Sequence, residues 1–165
     1  MGTRGADIGE LEALYRESLP RFVRAASAIV GDESLGKDAV QDAFVRAVRE
    51  RRSFRGEVPL EAWVWRIVTN SALDARARHR RDRESEGDAL ESFAANGRPE
   101  ADAAVRAWVA ALPERQRLAV FLRYFADLDY RGIAAALGIE VGTVSATLSA
   151  AHTALRRSFE EVQHS

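Results

Sequence analysis

The sequence predicts an all-α protein, and three observations predict it. Apolar residues recur at three- and four-residue spacing along most of the chain. No stretch alternates apolar and polar residues as a half-buried strand would. Breaks fall at Gly31, at Gly56 and Pro59, at Pro99 and Pro113, and at Gly138, between the periodic stretches.

The first helix is carried by Leu11, Leu14, Tyr15, Leu19, Phe22, Val23, Ala26 and Ile29, and Gly31 closes it. A second follows over Asp38 to Arg49, with Val40, Phe44, Ala47 and Val48 inward and Lys37, Asp38, Gln41, Asp42 and Arg49 on other faces. Phe54, Gly56 and Pro59 interrupt the chain. From Leu60 a long third helix carries Val64, Ile67, Val68 and Ala72 and runs into the basic stretch RARHRR. In the second half, Pro99 suits the first turn of a helix ending near Leu112. Pro113 suits the next, which uses Leu118, Val120, Phe121, Leu122 and Phe125. Asp129 is placed to cap the helix after that.

The last two helices form the most informative segment. Ile133, Ala134 and Leu137 share one helix face, Gly138 stands where a chain leaves a helix in left-handed geometry, and Ile139 lies in the turn. Val141, Val144, Leu148 and Leu155 resume at helical spacing. Two helices joined by a short Gly-containing turn make a helix-turn-helix, a DNA-binding arrangement. Yet its second helix, Thr143 to His152, carries no Lys or Arg. Glu140 stands at its cap position, where it is a poor cap, and Gly132 occupies the first turn of the preceding helix.

Charge divides the 165 residues into three parts. Met1 to Arg81 holds 15 basic against 12 acidic residues, Asp82 to Ala104 holds 2 against 7, and Val105 to Ser165 holds 7 against 6. The net charge of -1 therefore conceals an acidic middle with two Gly and a Pro, which reads as a linker over residues 83–98. Two small helical domains are expected, residues 8–82 and 99–162. The other reading is one compact domain with a long acidic loop, which is uncommon. The chain has no cysteine, and His79, His152 and His164 lack ligand spacing, so neither a metal nor another cofactor is expected. No nucleophile–base pair or phosphate loop is present, which argues against an enzyme. With no run of 18 apolar residues and no apolar stretch behind the N-terminal Arg4, membrane insertion is not expected and a cytoplasmic location is.

Over nearly its whole length the chain resembles a group IV (extracytoplasmic-function, ECF) sigma factor of bacterial RNA polymerase. Region 2 is matched by DAVQDAFVRAVRERRSFRGEVPLEAWVWRIVTNSALDARARHRR, and region 4 by ALPERQRLAVFLRYFADLDYRGIAAALGIEVGTVSATLSAAHTALRR. The resemblance implies a protein that binds core RNA polymerase and directs promoter recognition, opening of the -10 element and transcription initiation, with an anti-sigma factor as a further partner. It places Asp38, Gln41 and Asp42 on the helix that docks on the polymerase, where acids and an amide pair with Arg.

For promoter DNA it implies a -10 reading segment over Phe54 to Asp74. Reading a melted strand needs a cationic track, a pocket for an unstacked base and polar groups for its edge. Arg55, Arg66, Arg76, Arg80 and Arg81 suit the track, and the loop from Phe54 to Val58 suits the pocket. Asn70 and Asp74, four apart, suit the base edge. Trp63 and Trp65 lie two positions apart, so at most one faces DNA, and Trp63 is the candidate. In region 4 the implied DNA residues are Arg131, Thr143, Ser145, Thr147, Ser149, His152 and Arg156, with Arg115, Arg117, Arg123 and Arg157 as further backbone contacts. Without bidentate Arg to guanine, a source of about 1–3 kcal/mol of discrimination per contact is missing from this helix. A sigma-like interaction protein that binds polymerase or a regulatory partner without sequence-specific promoter recognition is therefore the second reading.

Overall fold

The computed structural model describes residues 5–85 and 100–165. It is all-α: α1 (Ile8–Val30), α2 (Glu33–Glu50), a short 3-10 turn (Arg51–Ser53), α3 (Leu60–Ser85), α4 (Glu100–Ala111), α5 (Glu114–Tyr124), α6 (Tyr130–Leu137) and α7 (Val141–Gln163). Capping sets several of these boundaries. The Asp7 carboxylate accepts from the Gly9 and Glu10 amides at the start of α1. Gly31 ends that helix at φ 87, and Asp32 at once caps α2 by accepting from Leu35 N at 2.8 Å.

The first three helices pack around a column of rings. Tyr15 meets Phe44 edge-on at 4.8 Å, Phe44 meets Phe22 at 5.3 Å, and Phe22 meets Trp65 at 4.4 Å between centroids. Phe22 and Trp65 are fully buried. Helices α1 and α2 cross closely because Gly36 lacks a side chain: a Cβ there would lie 2.6 Å from Ser27 Cα.

The second cluster is built on Leu118, Phe121, Leu122, Ile133, Val144, Leu148 and Ala151, all buried. Asp129 caps α6 as expected, accepting from Gly132 N at 2.8 Å, and Gly138 leaves it at φ 66. Helices α6 and α7 meet at a bend of 100°. Glu140 makes no side-chain cap on α7. Trp108 of α4 packs edge-on against Phe159 of α7.

The two clusters lie against one another, α6 along α3 and α5 beside α1, and their buried residues form one continuous core. Helix α3 continues through Ser85, the first three positions of the expected linker over 83–98; its last turns are solvated and need no apolar stripe. The rest of that linker lies outside the described residues. Val48, expected inward, is 37% exposed. Among the described residues no single helix is long and apolar enough to cross a membrane.

Candidate nucleic-acid interface

Helix α2 presents two faces. Ala39, Val40, Ala43, Phe44 and Ala47 are buried, whereas Asp38, Gln41 and Asp42 are exposed on a common stripe, as spacing of three and four dictates. That stripe continues into Val45, 51% exposed, and Val48. Together with Ile8, Leu11 and Tyr15 of α1 they line an open groove of about 730 Å³. The apolar extension was legible only in part: Val45 stands four residues after Gln41, on the exposed side.

The segment from Phe54 to Asp74 forms a second surface. The Phe54 and Trp63 rings stack obliquely at 5.4 Å, both half-buried, at the mouth of a loop turned by Gly56 at φ 75. Trp65, by contrast, lies in the core, so Trp63 is the tryptophan left for this surface. The Trp65 indole N–H donates to Glu61 at 3.4 Å. Arg55, Arg66, Asn70 and Asp74 are exposed, and the last three, four residues apart, run along one side of α3. Arg80 and Arg81 are exposed further along.

Arg76 is different. Only 14% of its side chain is exposed, and it pairs with Glu114 of α5 at 3.7 Å. In this arrangement it faces the second cluster, not solvent. Arg66 also meets the second cluster, with its Nη2 lying 3.4 Å from where a Cβ on Gly138 would stand.

On the helix-turn-helix, Arg131, Thr143, Ser145, Ser149, His152 and Arg156 are exposed, and Thr147 is half-buried. The Thr147 hydroxyl donates to the Thr143 carbonyl at 2.7 Å, which occupies its proton and leaves lone pairs to accept. His152 Nε2 lies 2.9 Å from the Tyr124 hydroxyl of α5. The solvent side of α7 from Val141 to Thr153 thus offers hydroxyls, methyls and one imidazole. Arg115, Arg123 and Arg157 are exposed, but Arg117 is not a surface cation. It is buried and donates to the Ala110 carbonyl at 2.9 Å, tying α5 to α4. Periodicity gave no sign of this, because an Arg stem packs like an aliphatic chain.

Family models match in the same order along the chain: Sigma-70 region 2 over residues 14–82, and Sigma-70, region 4 over residues 102–155. The chain is 31% identical over 147 residues to the RNA polymerase sigma-H factor of Pseudomonas aeruginosa, covering 79% of this chain and 76% of that protein. It is 34% identical over 134 residues to the ECF RNA polymerase sigma-E factor of Escherichia coli, covering 72% and 70%. Among solved structures, the sigma factor RpoE of Bartonella quintana, in complex with the anti-sigma factor NepR, superposes with a TM-score of 0.71 at 24% identity, over 93% of this chain and 98% of that one. CnrH in complex with the cytosolic domain of CnrY gives 0.70 at 23% identity, over 94% and 91%. These two likenesses concern the fold. With both regions matched in order and curated relatives above 30% identity, the chain belongs to the sigma-70 family, in its ECF (group IV) branch.

Proposed function

We propose that this chain acts in the cytoplasm as a promoter-recognition subunit, docking on core RNA polymerase through α2 and opening the -10 element with α3 and the loop before it. The observation that carries this reading is the division of the first cluster into two exposed surfaces. One is an acidic and amide stripe, Asp38, Gln41 and Asp42; the other is a row of Arg66, Asn70 and Asp74 beside the Phe54–Trp63 ring pair. An acidic stripe is suited to an Arg-bearing protein partner and disfavours phosphate. The row combines a cation for the backbone, amide and carboxylate groups for a base edge, and aromatic surface for an extruded base. The role is non-catalytic, since the chemistry of RNA synthesis belongs to the polymerase.

Region 4 holds the duplex upstream, with Arg131 and Arg156 on phosphates and the hydroxyls of Thr143, Ser145 and Ser149 at the groove. An anti-sigma factor is a further partner, supported by the fold shared with a sigma factor held by NepR. The uncharged face of α7 favours a second reading, an interaction protein that binds polymerase without reading promoter sequence.

Run-off transcription with core polymerase, this chain and a library of genomic promoters separates the two. Start sites sharing an upstream motif support the first reading. Binding to core polymerase without initiation supports the second, and no binding to core polymerase counts against both.

A further inference from the structure

Between Val141 and Leu155, helix α7 holds no Lys, Arg, Asp, Glu, Asn or Gln. Its outward face is built from Gly142, Ser145, Ala146, Ser149, Ala150 and Thr153, all exposed, on the side opposite the buried Val144, Leu148 and Ala151. Val141, 43% exposed, borders that face. The nearest cations along the chain are Arg131 on α6 and Arg156 further along α7, both exposed.

Three contacts narrow what this face can do. The imidazole of His152 is turned to α5, with Nε2 2.9 Å from the Tyr124 hydroxyl and the two rings 6.0 Å apart. The Thr147 and Thr153 hydroxyls donate to the carbonyls of Thr143 and Ser149 at 2.7 and 3.0 Å, so their protons are committed to the helix backbone. A Cβ on Gly142 would meet nothing within 4 Å, so packing inside the protein does not require glycine there, although glycine weakens a helix relative to alanine. A face without projecting side chains instead lets the helix backbone come close to whatever it meets.

We propose that region 4 reads thymine: α7 lies close in the major groove of the upstream duplex and packs Val141, Ala146 and Ala150 against thymine C5-methyl groups, with Arg131 and Arg156 on the flanking phosphates. The second helix of a helix-turn-helix enters the major groove with its N-terminal residues at the base edges. There guanine is specified by paired donors from Arg or Lys, adenine by the amide of Asn or Gln, and cytosine by a carboxylate, and this face has none of them. Thymine alone carries an apolar group on that edge, and methyl groups are what the face offers. The hydroxyls of Ser145 and Ser149 can serve either member of a base pair, so they fix register more than identity. The inference rests on the reading of this chain as a promoter-recognition subunit and names the base that its region 4 selects.

The test uses holoenzyme, core polymerase with the full-length chain, on promoters whose start sites run-off transcription has mapped. The duplex upstream of the melted segment is randomised and bound sequences are selected. A thymine-bearing element is expected, and replacing its thymines by deoxyuridine, which removes only the methyl, weakens binding about fourfold per contacted position. That change lies in the DNA, so the fold of the protein is untouched. Val141→Ala, Ala146→Gly and Ala150→Gly then tie the methyls to α7. In at least one variant the thymine-to-uracil affinity ratio at one position falls toward unity, and any loss of helix stability cancels in that ratio. Selection of guanine or cytosine, uracil bound as well as thymine, or unchanged ratios in all three variants overturns the inference. Initiation with no upstream preference also overturns it and leaves -10 opening in place. No initiation from any promoter removes the reading of the chain as a promoter-recognition subunit, and this inference with it.

Discussion

Gly36→Ala and Gly142→Ala are the same chemical change in two helices of this protein, and the structure predicts opposite signs. In an open helix the replacement is favourable by up to about 1 kcal/mol, because alanine loses less backbone freedom on folding. At Gly36 a Cβ would stand 2.3 Å from Ser27 Oγ, 2.6 Å from its Cα and 2.7 Å from its N. The hydroxyl can rotate away, but the α1 backbone cannot, so the two helices must separate. Forcing extra atoms into a packed contact costs about 1–3 kcal/mol, which offsets the propensity gain and leaves a net loss of up to about 2 kcal/mol. At Gly142, in the first turn of α7, nothing lies within 4 Å of the added carbon. There the gain survives, at about 0.5 kcal/mol. Urea titrations followed by far-ultraviolet circular dichroism compare the two midpoints with that of the parent. A Gly36→Ala protein at least as stable as the parent would refute the close crossing and, with it, the position assigned to the exposed α2 stripe.

Other consequences follow from single contacts. Asp129→Ala removes the acceptor for Gly132 N and costs about 1 kcal/mol, seen as earlier loss of the helix-turn-helix in hydrogen exchange while α1 to α3 keep their protection. Trp65→Ala empties a fully buried site and costs about 3–5 kcal/mol, whereas Trp63→Ala at the half-buried surface costs clearly less and instead weakens promoter opening; comparable stability losses would contradict the placement of the two rings. Replacing Arg80 and Arg81 together by Ala removes two exposed cations. The slope of log affinity against log salt for single-stranded DNA should then fall by about 1.4, and an unchanged slope removes both from the track.

The helices were legible because their determinants are local. Asp129 and Gly138 bound α6 through groups three or four residues away, and Pro113 with the apolar spacing after it places α5. The candidate site was legible where a face could be counted: Asp38, Gln41 and Asp42 are exposed together, as are Arg66, Asn70 and Asp74. It was illegible where a long side chain had two possible surroundings. Arg117 looked like a surface cation and is a buried tie to Ala110, and Val48 looked like core and borders an open groove. Periodicity tells which residues share a face, but not whether another helix covers it.

By itself the sequence determined the all-α class, the order of the helices, the helix-turn-helix and the family, since capping, turn conformation and apolar spacing act over a few residues and the motif order can be read directly. Only the tertiary structure decided how the two clusters sit and which cations they occupy. The bond from Arg21 to Ala126 joins positions 105 residues apart. Whether a guanidinium meets water, phosphate or the carbonyl end of a helix depends on which surfaces folding brings together, and no local pattern encodes that.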